Sequence, residues 1–430
     1  MSRLFLLSFL LVKSLFVNGQ EQSWSLQKCI DTALKNSIET KIKQLEIKKI
    51  KKTNVSLLNE MLPTVNLFGS QSYNFGSTID PATNGRVSSN IQYDNFYLNA
   101  QMNLLNFNSI TNAQKNNINI KLAQAEKEII ENEYKLQILD SYYQALITQE
   151  LLKIQKKQIE NLKNNLARIS EEVDLGSKPK SDLYDMELLF LQEEKKIIET
   201  NQLLNLNKAA LFQLMNDTVY PINEVYLEIE VEIQEFQYNF NNPKISFAKF
   251  NHEKSTIERN SLRANNLPTL SAFYQISSFY YKPLNHSDNM IEGFENQLKN
   301  NKNQQFGIQL NVPLFNGFKN NKKINAAKIE EEQHVLKIEQ EKQKLENQLL
   351  LENEKEANYI VLQKKLNEIL ILAQKTFTTT QSKFVLGKTD AYTFSMAKNN
   401  LLLSEYEVLK NNLQIQYTHF KKNLIEFNQL

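Results

Sequence analysis

"FGIQLNVPLFNGFKNNKKINAA", residues 306–327, contains two different patterns in succession. The apolar residues from Phe306 to Leu314 alternate with Gly, Gln, Asn and Pro, which is the period of a β-strand with one apolar face. From Lys319 onward the chain is highly charged, with apolar residues at helical spacing, and this pattern continues for about sixty residues. The stretch therefore predicts a short two-faced strand that leads directly into a very long helix.

The composition of the chain favours long elements joined by few turns. Its 430 residues include only 9 glycines and 8 prolines, the residues that most often form turns. The formal net charge is +2, and Lys and Glu are spread along the chain rather than gathered in blocks. This distribution is typical of solvated helix faces and gives no support for a nucleic-acid partner.

Residues 1–20 predict an export signal, because Arg3 precedes an apolar run from Leu4 to Val12. That run is shorter than the ~18–20 residues of a transmembrane helix, and no later uncharged run approaches this length. Any association with a membrane would therefore depend on strands. The single cysteine, Cys29, excludes an intrachain disulfide, and we predict that it is a small apolar group on the first helix.

Three motifs occur twice in the same order, which indicates an internal duplication. The pairs are "MLPTVNLFGSQSY" (61–73) with "NLPTLSAFYQISSF" (266–279), "NFYLNAQMNLLNFNS" (95–109) with "QFGIQLNVPLFNGFK" (305–319), and "VDLGSKPKSDLYDMELLFLQEE" (173–194) with "FVLGKTDAYTFSMAKNNLLLSE" (384–405). We therefore predict a first repeat at 21–219, a linker at 220–243 and a second repeat at 244–430.

Each repeat is predicted to run helix, strand, loop, strand, long helix, tight turn, helix. The first helix covers about 24–61 and ends before Pro63, since a residue that precedes proline disfavours the helical conformation. Loops rich in Asn, Ser, Asp, Pro and Gly are predicted at about 77–92 and 282–304. The predicted strands cover about 64–75, 96–104, 270–280 and 306–314. The later helices cover about 108–173, 181–215, 319–383 and 391–428.

The long helices carry a heptad pattern of apolar residues, which predicts coiled-coil packing. The first seam consists of Ile159, Leu162, Leu166, Ile169 and Val173, and the second of Leu362, Leu366, Ile369 and Ala373. At ~1.5 Å per residue, each long helix would be roughly 100 Å long, which is close to the summed length of the two shorter helices in its repeat. We therefore predict that two shorter helices stack end to end beside each long one.

An apolar sheet face in a membrane requires a closed barrel, because each unpaired edge group in lipid costs several kcal/mol. The smallest such barrels have about eight strands, so four strands would close only with other copies of the chain. Aromatic residues near the loop ends suit a membrane interface: Tyr73, Phe75, Tyr93, Phe96, Tyr97, Phe279, Tyr280 and Tyr281. The alternative is a soluble sheet with an aromatic core, but the opposite faces are polar and no second sheet is predicted.

In the order and duplication of its motifs, the chain resembles the TolC-type outer membrane efflux proteins. The resemblance is carried by "LPTV" and "LPTL" before strands one and three, "VPLFNGF" after strand four, and the turns "LGSKPKSDLYD" and "LGKTDAYTF". It implies a mainly α protein with membrane β-structure. Three chains would form a twelve-stranded β-barrel, four strands from each, continued by an α-helical coiled-coil barrel.

The same resemblance implies a function and a location. The protein would be a passive exit duct of a tripartite efflux or type I secretion system, in the outer membrane of a Gram-negative bacterium and extending into the periplasm. Its partners would be two further copies of itself, a periplasmic adaptor, an inner-membrane transporter and outer-membrane lipid.

The resemblance also assigns roles to the two turns. The periplasmic tip that docks the adaptor would consist of Leu175, Gly176, Ser177, Leu386, Gly387 and Lys388. Both glycines are expected in the left-handed conformation that ends a helix. The family pattern places a carboxylate six residues after each turn glycine, at the positions of Asp182 and Thr393. These two residues are candidates for the pore constriction, together with Asp185, which lies one turn further along the same helix face. Asp182 fits this pattern, whereas the second turn departs from it with Thr393, and with Phe384 in place of a tyrosine.

The sequence contains no arrangement of residues typical of catalysis. Its 4 histidines are scattered, and it has no Gly-rich phosphate loop and no cysteine pair. We therefore expect no enzyme activity, no cofactor and no metal. Two other functions are a periplasmic adaptor and a structural coiled-coil protein of the envelope. Adaptors have one helical hairpin rather than two, and a purely structural coiled coil leaves the alternating strands unexplained.

Overall fold

The computed structural model describes residues 22–79, 84–88, 90–217, 224–229, 242–284 and 292–428. The predicted export signal and most of the predicted linker lie outside these residues. In chain order the elements are β1 (Gln22–Trp24), α1 (Leu26–Asn36), α2 (Ile38–Thr53), α3 (Leu57–Met61), β2 (Thr64–Asn74), β3 (Ser77–Ile79), β4 (Arg86–Ser88), β5 (Ile91–Leu105), α4 (Phe107–Asp174), α5 (Lys180–Leu214), β6 (Val225–Leu227), α6 (Pro243–Ala264), β7 (Thr269–Pro283), α7 (Phe294–Asn300), β8 (Asn303–Asn311), α8 (Lys319–Val385) and α9 (Ala391–Phe427).

The chain forms two compact units, each assembled from separate segments. The first unit comprises Met1–Glu46, Gln124–Phe247 and Glu339–Leu430, and it contains both tight turns. The second comprises Ile47–Ala123 and Ala248–Ile338, and it contains the four longer strands.

The four longer strands form one antiparallel sheet in the order β2-β5-β7-β8. Because side chains alternate between the faces of a sheet, neighbouring rows of paired residues show the two faces. One row consists of Val65, Ala100, Tyr274 and Phe306, and the next row, on the opposite face, consists of Asn66, Asn99, Gln275 and Gln305. The predicted alternation between an apolar and a polar face is therefore confirmed in β5 and β8, whereas β2 and β7 also carry Phe68 and Phe273 on the polar face.

The prediction of one continuous helix at 24–61 is wrong, because the structure has three helices there, α1, α2 and α3. Serine residues cause both interruptions. The Ser37 hydroxyl accepts a hydrogen bond from the Thr40 amide (3.2 Å), and the Ser56 hydroxyl accepts one from the Asn59 amide (3.2 Å). Each serine thus caps the start of a new helix, as this residue type favours. The boundaries predicted for α4, α5, α8 and α9 agree with the structure to within two residues.

The fourth strand was predicted to reach Leu314, but β8 ends at Asn311. Pro313 accounts for the difference, since proline has no amide hydrogen for the ladder. The predicted loop at 77–92 also contains the β3–β4 hairpin and the start of β5, and the predicted loop at 282–304 contains α7.

Helix α7 completes the edge of β7 where β8 has not yet begun. The Gln297 side chain is 7% exposed; its oxygen accepts a hydrogen bond from the Tyr281 amide, and its nitrogen donates to the Tyr281 carbonyl, both at 2.9 Å. The Asn301 side chain donates to the Phe279 carbonyl (2.9 Å). These two side chains take the place of a neighbouring strand beside the last residues of β7.

Replacing Gln297 by leucine should loosen this end of the sheet, because it removes two hydrogen bonds to the Tyr281 backbone. An unsatisfied buried polar group costs about 1–3 kcal/mol. We expect faster hydrogen exchange at the Tyr281 amide, with little change at the Tyr274 amide in the middle of β7. Gln305→Leu, at an exposed position of β8, is the matched control. Equal exchange at Tyr281 in both variants would contradict the role given to Gln297.

Two shorter helices meet end to end beside each long helix, as predicted from their lengths. Asn36, the last residue of α1, donates to the Met215 carbonyl at the end of α5 (3.3 Å), and both helices pack against α4. At the other long helix, Asn242 before α6 donates to the Ile425 carbonyl of α9 (2.7 Å). Ile425 packs there with Leu345 of α8.

Among the residues that the structure describes, no helix is both long enough and apolar enough to cross a membrane.

A short parallel pairing of β1 with β6 was not predicted, and it places part of the predicted linker in the first unit. Gln22 pairs with Val225, and Trp24 pairs with Leu227. The Gln149 side chain then satisfies both the amide and the carbonyl of Leu227, each at 2.9 Å. Trp24 and Cys29 are buried in the adjoining core, which confirms the apolar role predicted for Cys29.

Candidate functional site: the paired helical turns

The two turns that follow the long helices have the same backbone structure. Gly176 and Gly387 have φ angles of 74° and 69°, the left-handed conformation predicted for them. The Ser177 amide donates to the Glu172 carbonyl, and the Lys388 amide donates to the Lys383 carbonyl, both at 2.8 Å. Each glycine amide donates one turn back in the same way, so both helices end in a Schellman motif. A side chain at either glycine would be strained.

Both turns present an apolar side chain to solvent. Leu175 is 83% exposed and Leu386 is 68% exposed. The other residues predicted for adaptor docking, namely Gly176, Ser177, Gly387 and Lys388, are exposed as well. Two identical backbone turns, each with an exposed leucine before its glycine, thus form a pair of matched surfaces in the first unit.

The helices after the turns begin differently. Pro179 occupies the N-cap position of α5 with φ −76°, a conformation that suits proline at a helix start. In α9 the Asp390 carboxylate accepts hydrogen bonds from the Thr393 amide (2.6 Å) and the Thr393 hydroxyl (2.8 Å). These bonds, above all the one from the amide, lower the pKa of Asp390, and the charge of Lys178 acts in the same direction. The Thr393 hydroxyl, a predicted constriction group, is therefore engaged in capping its own helix.

Replacing Asp390 by alanine should loosen the first turn of α9 by about 1 kcal/mol, the usual effect of losing an N-cap. Because the folded-state pKa lies below the ordinary 3.8, the cap is fully effective above that pH and is lost as pH falls through the folded-state pKa. Hydrogen exchange at the Thr393 amide measures both effects. Asp390→Asn, which caps without titrating, should stay protected at pH 7 and lose the pH dependence. An unchanged pH dependence in Asp390→Asn would contradict this assignment.

A cleft of about 250 Å³ between the two turns brings together residues that are distant in sequence. Asp182, Asp185, Lys178 and Asp390 line it over the apolar side chains of Ile169 and Met186. The Lys178 ammonium lies 3.6 Å from the Asp182 carboxylate and 4.0 Å from that of Glu172. The structure therefore joins the predicted Asp182 and Asp185 in one acidic site, where Asp182 is partly neutralised by Lys178. Thr393 does not line this cleft.

An aromatic stack lies beneath the turns, and we call it the Arg168–Phe384–Phe394 stack. The Arg168 guanidinium lies over the Phe384 ring, 4.2 Å from its centroid. The Phe384 and Phe394 rings are stacked at 4.5 Å with an interplanar angle of 2°. The guanidinium also donates to Glu172 (2.9 Å), which connects the stack to Lys178. These contacts join the end of α4 to the end of α8 and the start of α9.

The sequence analysis missed Arg168, Lys178 and Asp390. A signal for Asp390 was present, because an acidic residue three positions before Thr393 is a capping pattern. Arg168 and Lys178 each have a carboxylate four residues later, which is common on helix surfaces and did not single them out. The contact that joins Arg168 to the site, with Phe384, comes from the opposite hairpin. Within the described residues, no group of three or more His, Cys, Asp and Glu side chains could hold a metal ion.

Solved structures with the same fold include channels of the outer membrane. A crystal structure of CusC, described in terms of transmembrane channel formation, has a TM-score of 0.72 and 16% identity; the match covers 95% of this chain and 92% of that one. The open-state MtrE outer membrane channel of Neisseria gonorrhoeae has a TM-score of 0.70 and 13% identity, covering 94% and 89%. The CmeC outer membrane channel of Campylobacter jejuni has a TM-score of 0.69 and 13% identity, covering 92% and 86%.

This chain thus shares the fold of these channels. Residues 237–419 match the family model described as outer membrane efflux protein, which confirms the family resemblance indicated by the duplicated motifs. Sequence comparison with curated proteins finds no match.

Proposed function

We propose that this protein is the outer-membrane exit duct of a tripartite efflux or type I secretion system. It would conduct substrate passively from a periplasmic adaptor and an inner-membrane pump to the exterior of a Gram-negative cell. The observation that carries the proposal is the four-stranded sheet, with one apolar face and two open edge strands. The family match and the shared fold support the same function.

The apolar face of the sheet suits contact with lipid. The row of paired residues from Val65 to Phe306 is apolar on all four strands. On the same face, Leu67 of β2 and Ile308 and Leu310 of β8 are exposed. Large exposed apolar surfaces are uncommon on soluble monomers. The polar face, rich in Asn, Gln and Ser, suits the wall of a water-filled channel.

The edges of the sheet require partners. Strands β2 and β8 are the outer strands of the order β2-β5-β7-β8, and each has a row of backbone groups without a neighbouring strand. In lipid such edges must be paired. Three copies would provide twelve strands, with β2 of one chain beside β8 of the next, which closes a homotrimeric barrel without free edges.

The helices supply a second reason for assembly. On α4 the predicted heptad seam is buried, with Leu162 and Ile169 each 1% exposed, whereas on α8 Leu362 and Ile369 are 45% and 51% exposed. Helix α5 likewise exposes Tyr184, Leu188 and Leu191 at spacings of four and three residues. These faces have the pattern of a coiled-coil seam that a neighbouring chain would cover. We infer that the helices continue the barrel as an α-helical tube, with the paired turns as its periplasmic, adaptor-docking end.

Fractionation tests the proposal. The mature chain should appear in outer-membrane extracts as a trimer that dissociates on heating, and it should resist release by salt or osmotic shock. A monomer released with the soluble periplasmic proteins would exclude the duct and favour an adaptor or another envelope protein.

Reversing the charge of Asp182 should change ion selectivity. Threefold symmetry would place six carboxylates, from Asp182 and Asp185, around the channel mouth, and an acidic ring favours cations. We expect Asp182→Lys to reduce cation preference in planar bilayers, and Asp182→Asn to have a smaller effect in the same direction. Asp217→Lys, an acidic position outside the cleft, is the control. If the reversal potentials of Asp182→Lys and the wild type agree, Asp182 does not line the constriction.

A further inference from the structure

A second cleft, in the first unit, lies between α4, α5 and β6 and has a volume of about 490 Å³. Its walls carry four lysines, three from α4 and one from α5, namely Lys153, Lys156, Lys157 and Lys208. They also carry three amide side chains, Gln149 on α4 and Asn201 and Asn205 on α5. Among the described residues, no aspartate or glutamate lines it. This is a strongly basic site in a chain that has 50 basic and 48 acidic residues.

The lysines of the cleft differ in their surroundings. The Lys153 ammonium lies 3.4 Å from the Glu150 carboxylate. The negative charge of Glu150 is the main reason that the pKa of Lys153 is raised. Lys208 is 5% exposed and donates to the Val225 carbonyl at the floor of the cleft. Lys156 and Lys157 form no ion pair with any described residue. Two exposed ammonium groups thus remain available at the mouth, next to two amides.

We propose that this cleft binds a small organic polyanion, a molecule with at least two phosphate or carboxylate groups. The positive charges lie on both walls and Glu150 pairs only with Lys153, so one monovalent anion would still leave two ammonium groups without a counterion. Lys153 and Lys157 are one helical turn apart, roughly 6 Å along the axis, which suits separate acid groups on one molecule. The volume falls in the range of about 300–1,000 Å³ typical of sites for small organic ligands.

The Asn201 and Asn205 side chains and strand β6 determine how the cleft can bind an anion. Asn201 and Asn205 can each donate two hydrogen bonds to oxygens between the acid groups. A peptide is not expected to add as a strand at β6, because Gln149 and Lys208 already satisfy the backbone groups of Leu227 and Val225. The cleft therefore suits contact with acid groups through side chains.

Binding is tested by calorimetry on the purified full chain in detergent at constant ionic strength, with pyrophosphate and citrate as probes. We expect saturable binding of at least one probe, and none of acetate. The ratio of the two affinities would identify phosphate or carboxylate as the preferred acid group. Lys156→Gln/Lys157→Gln should weaken binding at least tenfold, whereas Lys163→Gln, at an exposed position of α4 outside the cleft, should leave it unchanged.

Three results would overturn the proposal. They are a heat of binding that does not saturate with either probe, a double variant that binds as tightly as the wild type, and a Lys163→Gln variant in which binding is weakened as much as in the double variant. Each would mean that the lysines only form a solvated, screening surface. The heat-dissociable trimer is measured on the same samples. A failure of anion binding is thereby distinguished from a failure of the proposed duct.

Discussion

Leu98→Arg should nearly abolish the outer-membrane form of the protein. Leu98 is in the middle of β5, paired with Leu67 and Ile276 on the apolar face of the sheet. If that face meets lipid, an arginine there costs about 2–4 kcal/mol per chain at the bilayer midplane. In a trimer the cost recurs in every subunit, which is large against the marginal stability of folded proteins.

The next residue provides the control for this prediction. Asn99 pairs with Asn66 and Gln275 on the polar face, so Asn99→Arg would place the same charge in water. The amount of heat-dissociable trimer in outer-membrane fractions measures both variants. We expect strong loss for Leu98→Arg and near-normal amounts for Asn99→Arg. Equal amounts of trimer in the two variants would mean that the apolar face does not contact lipid.

The sheet was predictable because its information is local. Alternation along each strand fixes which residues share a face, and Pro63 and Pro268 mark where the strands follow the helices. The end of β8 was missed by three residues, since the pattern continues to Leu314 while Pro313 prevents pairing. Periodicity reports the environment of side chains, whereas the end of a strand depends on backbone hydrogen bonds.

The division of the first helix had a local signal that periodicity concealed. Ser37 and Ser56 are good N-caps, but the apolar residues Leu34, Ile38 and Ile42 continue at helical spacing across the first break. The β1–β6 pairing had no such signal. Each strand has only three residues, and about 200 residues separate the two strands in the sequence. So short a parallel contact leaves no pattern in either segment.

The candidate site was predictable in its turns but not in its contacts. Gly176 and Gly387 were identified because few residues other than glycine adopt the left-handed conformation that ends these helices. The acidic cleft and the Arg168–Phe384–Phe394 stack join residues from opposite hairpins. Such contacts depend on how the helices pack, which a single sequence does not specify. The departures at Phe384 and Thr393 from the pattern that the resemblance implies were the signs that this region differs.

Phe384→Ala should loosen the paired turns more than any other single change at this site. Phe384 is buried among Leu162, Ile169 and Met186, and truncating a buried phenylalanine costs about 3–5 kcal/mol. The change also removes the Arg168 contact, worth about 0.5–2 kcal/mol, and the stacking with Phe394. We expect faster hydrogen exchange at the ends of α4 and α8, unchanged exchange in the sheet, and a higher or more variable conductance in planar bilayers.

Two further variants separate the aromatic ring from the apolar volume it fills. Phe384→Tyr keeps the ring and should retain most of the protection, whereas Phe384→Leu keeps much of the volume and loses the cation–π contact. A double-mutant cycle with Arg168→Gln isolates the coupling between the guanidinium and the ring. The coupling should be present when Phe384 is replaced by leucine and nearly absent when it is replaced by tyrosine. If Arg168→Gln has the same effect beside leucine as beside phenylalanine, the guanidinium is held by Glu172 alone, and the ring contributes only packing.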